Sequence, residues 1–137
     1  MEIDISKIKP FSRWQSFFYG SRGIKGFVNY PYIYFNIDIY EDIISTNPDP
    51  LNIGMVLHEF EHIKRIEKMG KYKFIFLYSI SNKFRLKEEI EADKARFKYL
   101  KDLNININLE ERARKLSGII YFWMISYKKA LILLQKT

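Results

Sequence analysis

No cysteine occurs among the 137 residues, which excludes disulfide staples, thiolate metal ligands and a thiol nucleophile. Any metal must be held by nitrogen and oxygen, and the composition fits a reducing, cytoplasmic setting. Histidine is almost as scarce, with two in the whole chain. Long apolar runs are missing as well. The two longest, Phe74 to Ile80 and Gly118 to Tyr127, fall well short of the ~20 residues that cross a bilayer. The opening Met1-Glu2-Ile3-Asp4 lacks the basic stretch and apolar core of a secretory signal. A soluble protein without a membrane span is therefore expected. There is no internal repeat and no long linker, and at roughly 100–200 residues per domain the length predicts one domain over 1–137.

Hydrophobic residues make up 47% and aromatics 17%, enough apolar surface to offset chain entropy and to make extended disorder a poor reading. The 23 basic residues outnumber 16 acidic ones, for a formal charge of +7, which favours acidic partners or anionic surfaces. One function that fits is a non-catalytic nucleic-acid module, with Arg13, Trp14, Arg22 and Lys25 among aromatics that stack bases. The lysines, however, are spread through every section of the chain. That describes a solvated basic surface, and no specific nucleic acid is expected as partner.

Local patterns divide the chain. Gly20 to Gly26 is a turn region without the helix-and-lysine context of a phosphate cradle. The β-branched and aromatic run from Tyr32 to Tyr40 predicts a strand, paired as a hairpin with Phe27-Val28. Asp49 before Pro50 caps a helix that runs to Gly70. Phe74 to Ile80 is a short apolar run that periodicity does not type. Ser81 or Asn82 starts a second helix to about Lys101, and Asn108 with Glu111 starts a third. The third is expected to bend near Gly118, with Ile119 to Ile125 as a core-packing helix. The sum is an α+β class: mainly helical, with a small N-terminal hairpin or sheet.

Both histidines fall in His58-Glu59-Phe60-Glu61-His62, four residues apart on the first long helix. Positions i and i+4 share a helix face, so both imidazoles reach one metal ion, while Glu59 points about 100° around the helix toward a water in the open coordination position. This is the HExxH arrangement of zinc peptidases, in which Glu59 is the general base. A bland alternative is a surface helix with two solvated histidines.

A catalytic zinc normally has three protein ligands and a water, so one ligand is missing. No third histidine exists, which excludes three-histidine zincins such as metzincins and SprT-like proteases. The HEFEH run also resembles that of peptide deformylases, whose third ligand is a cysteine that this chain lacks. A carboxylate remains. On the second helix Leu86, Ile90, Phe97 and Leu100 form an apolar stripe, and at 100° per residue Glu89 and Asp93 project into or beside it, whereas Glu88 and Glu91 project away. Inward carboxylates need compensation. In the metal reading Glu89 is the third ligand and Asp93 accepts the free ring N–H of a ligand histidine. In the alternative, the two acids pair with Arg85, Arg96 or a neighbouring helix.

With these residues in place the chain resembles the gluzincin zinc metallopeptidases, whose pattern is HExxH followed by a helix bearing ExxxD. Here it reads His58-Glu59-Phe60-Glu61-His62 and Glu89-Ile90-Glu91-Ala92-Asp93. The resemblance covers about Asp49 to Leu100. Size and lack of membrane spans are similar to the single-domain minigluzincins, and less closely to ImmA/IrrE-like regulatory peptidases. The resemblance implies a zincin-like fold and Zn2+ held by His58, His62 and Glu89. It also implies cleavage of peptide or protein substrates, as an endopeptidase rather than an exopeptidase, with a zymogen-like C-terminal segment that occupies the cleft. It further implies that the strand at about Tyr32 to Ile37 forms the cleft rim on which substrate backbone pairs.

Overall fold

The computed structural model describes residues 3–137. Among them a short 3-10 turn (Ile5–Lys7) leads into β1 (Ile8–Pro10), then a helical segment in which α1 (Arg13–Gln15) continues as a π turn (Ser16–Gly20). A hairpin of β2 (Gly26–Asn29) and β3 (Tyr32–Phe35) precedes α2 (Ile37–Ile43), α3 (Pro50–Met69), α4 (Lys71–Ile80) and α5 (Asn82–Asp102). The chain ends with α6 (Leu109–Leu116), a 3-10 turn (Ile119–Tyr121) and α7 (Tyr127–Gln135). The class is mainly helical α+β with a three-stranded sheet near the N-terminus. No described helix is long and apolar enough to cross a membrane.

The sheet order is β1-β3-β2, with β3 parallel to β1 and antiparallel to β2. Ile33 and Phe35 of β3 are buried while Tyr32 and Tyr34 are not, the alternation of a strand with one covered face. The strand is shorter than the sequence predicts. Asn36 accepts a hydrogen bond from the Ile39 amide (3.0 Å) and caps α2, so the Asn-Ile-Asp-Ile-Tyr run turns helical. Ile39 and Ile43, one turn apart, are buried and Ile37 is exposed, which is helix rather than strand spacing.

Two apolar clusters result. Ile8, Ile33, Phe35, Ile39, Ile43, Val56 and Ile63 join the sheet to α2 and α3. Ile90, Phe97, Ala113, Leu116, Ala130 and Leu134 join α5, α6 and α7. The capped termini fall where the sequence places them: Asp49 accepts from the Leu51 amide, Ser81 from Phe84 and Asn108 from Glu111. The Phe74 to Ile80 run is helical, as most of α4. In contrast, the expected helix over Ile119 to Ile125 does not form. α6 stops at Leu116, Gly118 opens a loop, and Phe122 and Trp123 both adopt left-handed backbone (φ 54° and 48°), which no right-handed helix can continue.

α3 and α5 lie against each other and carry the histidines and acids. Gly54, one turn before His58, lets them approach: a methyl there would lie 3.2 Å from Cγ of Arg96 and 3.5 Å from Leu100. Gly54→Leu is expected to overpack this crossing and cost about 1–3 kcal/mol in urea denaturation. Gly54→Ala should be tolerated, because the nearest atom belongs to a flexible arginine chain and alanine favours the helix.

Candidate metal centre

His58 and His62 project from α3 with ring centroids 5.0 Å apart and ring planes at 82°. Both are buried. From α5, Glu89 meets them: its Oε2 lies 3.3 Å from His58 Nε2 and its Oε1 3.2 Å from His62 Nε2. One ligand atom from each of the three residues lies within 4.8 Å of the others, close enough to share a metal ion. Asp93, one turn beyond Glu89, is fully buried and stands 3.0 Å from His58 Nδ1.

The donor chemistry tests whether a cation fits. A carboxylate only accepts hydrogen bonds, so His58 Nδ1 carries the proton that Asp93 receives. Neutral His58 then turns an Nε2 lone pair toward the Glu89 carboxylate, an acceptor facing an acceptor. Only a positive charge between them relieves that arrangement: a proton on the imidazole or a metal ion. Burial opposes charging of His58, but Asp93 and Glu89 outweigh it and raise its pKa to about 10. Burial likewise opposes ionisation of Glu89, and the two histidines overcome it, holding the carboxyl well below its usual range. The three side chains lie close enough to hold a cation, and their nitrogen and oxygen donors fit a divalent metal.

The inward projection of Glu89 and Asp93 is as the apolar stripe predicts, and Glu91 is exposed. Glu88 departs from it. Instead of facing solvent it is buried, held by Arg65 through two hydrogen bonds of 2.9 Å each, the bidentate geometry that makes burial of a carboxylate tolerable. Glu59 is half-buried and lines the cleft beside the histidines. This cleft, about 440 Å³, is walled by β2, α3, α4 and the loop at Ile120 to Phe122.

Two residues of this centre escaped the sequence analysis. Arg112 of α6 donates to Asp93 Oδ2 (2.6 Å) and to Glu89 Oε2 (2.8 Å), so one buried guanidinium spans both acids. Of the pairings the sequence left open, a neighbouring helix supplies the partner, and neither Arg85 nor Arg96 does: Arg85 donates to the carbonyls of Tyr78 and Ser79 and to Asn82. Its position was readable, since Leu109, Arg112, Ala113 and Leu116 follow helical i, i+3, i+4, i+7 spacing, which puts an arginine on an apolar face. Tyr121 donates to Glu89 Oε2 (3.0 Å) and accepts from Arg112 (3.2 Å). Its place in a loop that sequence periodicity reads as helix left no signal. Tyr78 of α4 also donates to Glu89 Oε1, and burial raises its phenol pKa, with the nearby Glu89 adding to the effect.

The strand expected to rim the cleft is corrected too. β3 is the central strand, hydrogen-bonded on both sides, and cannot accept another chain. β1 and β2 are the edge strands, and it is β2 that lines the cleft, through Gly26 to Asn29.

Arg112→Met removes the guanidinium from two buried carboxylates and is expected to destabilise metal-free protein by about 3–5 kcal/mol. Added zinc should raise the melting temperature of this variant more than that of the parent chain, a comparison readable by differential scanning fluorimetry. No family model, curated protein or solved structure matches this chain.

Proposed function

We infer that the chain is a zinc-dependent peptidase of the gluzincin type, with His58, His62 and Glu89 as metal ligands, Asp93 fixing the His58 ring and Glu59 as general base. The observation that carries this reading is the convergence of the three buried ligand residues from two helices beside an open cleft lined by Glu59. A closed structural site would have no such opening.

Bound zinc would supply Lewis-acid activation of water and of the scissile carbonyl. The chain supplies the rest. Glu59 takes a proton from the attacking water and passes it to the departing amine nitrogen as the C–N bond breaks. Asp93 holds His58 in one tautomer, and Arg112 fixes Asp93 and Glu89. The free edge of β2 offers main-chain groups along which an extended peptide can lie, the mode of strand addition. A cytoplasmic regulatory peptidase, ImmA/IrrE-like in role, is the nearest variant of this reading.

Metal analysis should give one zinc per chain, lost in His58→Ala and Glu89→Ala. Glu59→Gln should keep the metal while turnover of a peptide substrate falls by at least about 10²–10⁴-fold; full activity with bound zinc would sink the assignment of Glu59.

A latent state is favoured by one particular contact. The Tyr121 hydroxyl, from the C-terminal segment, occupies Oε2 of the proposed ligand Glu89, and Ile120 and Phe122 line the cleft beside it. Removing the whole segment would be uninformative, since Ala130 and Leu134 of α7 belong to the core. Tyr121→Phe keeps the packing and drops the contact. Higher peptidase turnover in this variant is the expected outcome; a fall in turnover at unchanged zinc content would make Tyr121 a helper of the reaction instead of a latch.

A further inference from the structure

α4 is ordered but scarcely packed: Phe74 is its one buried residue among ten. Tyr72, Phe76 and Ile80, spaced i, i+4 and i+8 along one face, are 86%, 62% and 64% exposed, and Ile75 beside them is 48% exposed. Water disfavours such a stripe, and contiguous exposed apolar surface marks contact with a partner or a membrane.

The charge around the stripe chooses between these. From Lys68 to Lys87 the chain carries six basic residues and no acidic one. Lys68, Lys73, Lys83 and Lys87 are exposed, and none has a carboxylate within ion-pair distance among the described residues. Lys73 shares the face of Phe76 and Ile80 by its i, i+3, i+7 spacing. Lysines around aromatic and aliphatic side chains, on a helix too short to span, are the makings of an interfacial membrane contact.

We propose that α4 is a docking face for an anionic lipid bilayer: Tyr72, Phe76 and Ile80 enter the headgroup region, and Lys73 with the other lysines of this basic stretch meets lipid phosphates. A second copy of the chain fits less well, because this face would bring lysines against lysines with no acid to pair them.

The test is co-sedimentation of the full chain with vesicles of equal parts phosphatidylcholine and phosphatidylglycerol, compared with phosphatidylcholine alone. Binding to the anionic vesicles should exceed binding to neutral ones by about tenfold or more and fall steeply with added salt. Phe76→Ser and, separately, Lys73→Glu should each lower it several-fold while leaving the circular dichroism spectrum and zinc content unchanged. Because the readout is sedimentation, it is independent of peptidase activity. Equal binding to both vesicle types, no binding to either, or unaltered binding by Phe76→Ser would overturn the proposal. So would a concentration-dependent dimer that Phe76→Ser abolishes.

Discussion

Glu89 and Asp93 stand one turn apart on the covered side of α5, and two ionised carboxylates in that position are untenable without positive charge around them. The neighbourhood is arranged to provide it. Arg112 reaches both, His58 lies between them, and Tyr78 and Tyr121 donate to Glu89. Each of these partners comes from a different part of the chain: α3, α4, α6 and the loop that follows it. The acids on α5 thus set the mutual placement of four other elements, a role that apolar packing alone, being non-directional, does not fill.

This charge requirement also explains why His58 and Glu89 are well oriented. His58 Nδ1 donates to Asp93 and Arg112 donates to Glu89, so both side chains are fixed by partners outside the pair. His62 is held less firmly, with no hydrogen-bond partner at its buried Nδ1 among the described residues. Of the three, it relies most on packing, against Phe74 and Tyr78.

Much of the centre was legible from residue spacing, because helices convert spacing into direction. Two histidines four apart, and a Glu and Asp four apart beside an apolar stripe, left few ways to point. Caps at Asp49, Ser81 and Asn108 were legible for a similar reason, since short polar side chains before apolar periodicity satisfy amide groups in one place. Where the reading failed, two physical effects competed. The alternation of Tyr32 to Tyr40 suits a strand, but the Asn36 cap starts a helix within it. Ile119 to Ile125 is apolar enough for a helix, yet its exposed Ile119, Phe122 and Trp123 are not held in any core. Glu88 faces inward because Arg65 on another helix receives it, and a pairing between distant positions leaves no periodic trace.

The two histidines belong to a helix anchored in the sheet-side cluster, while the acids and Arg112 belong to helices of the other. An ion held at the proposed centre would be a rivet across that seam. Whatever stability each half has alone, occupancy would tie their opening together, because loosening either side would then require coordination bonds to break first.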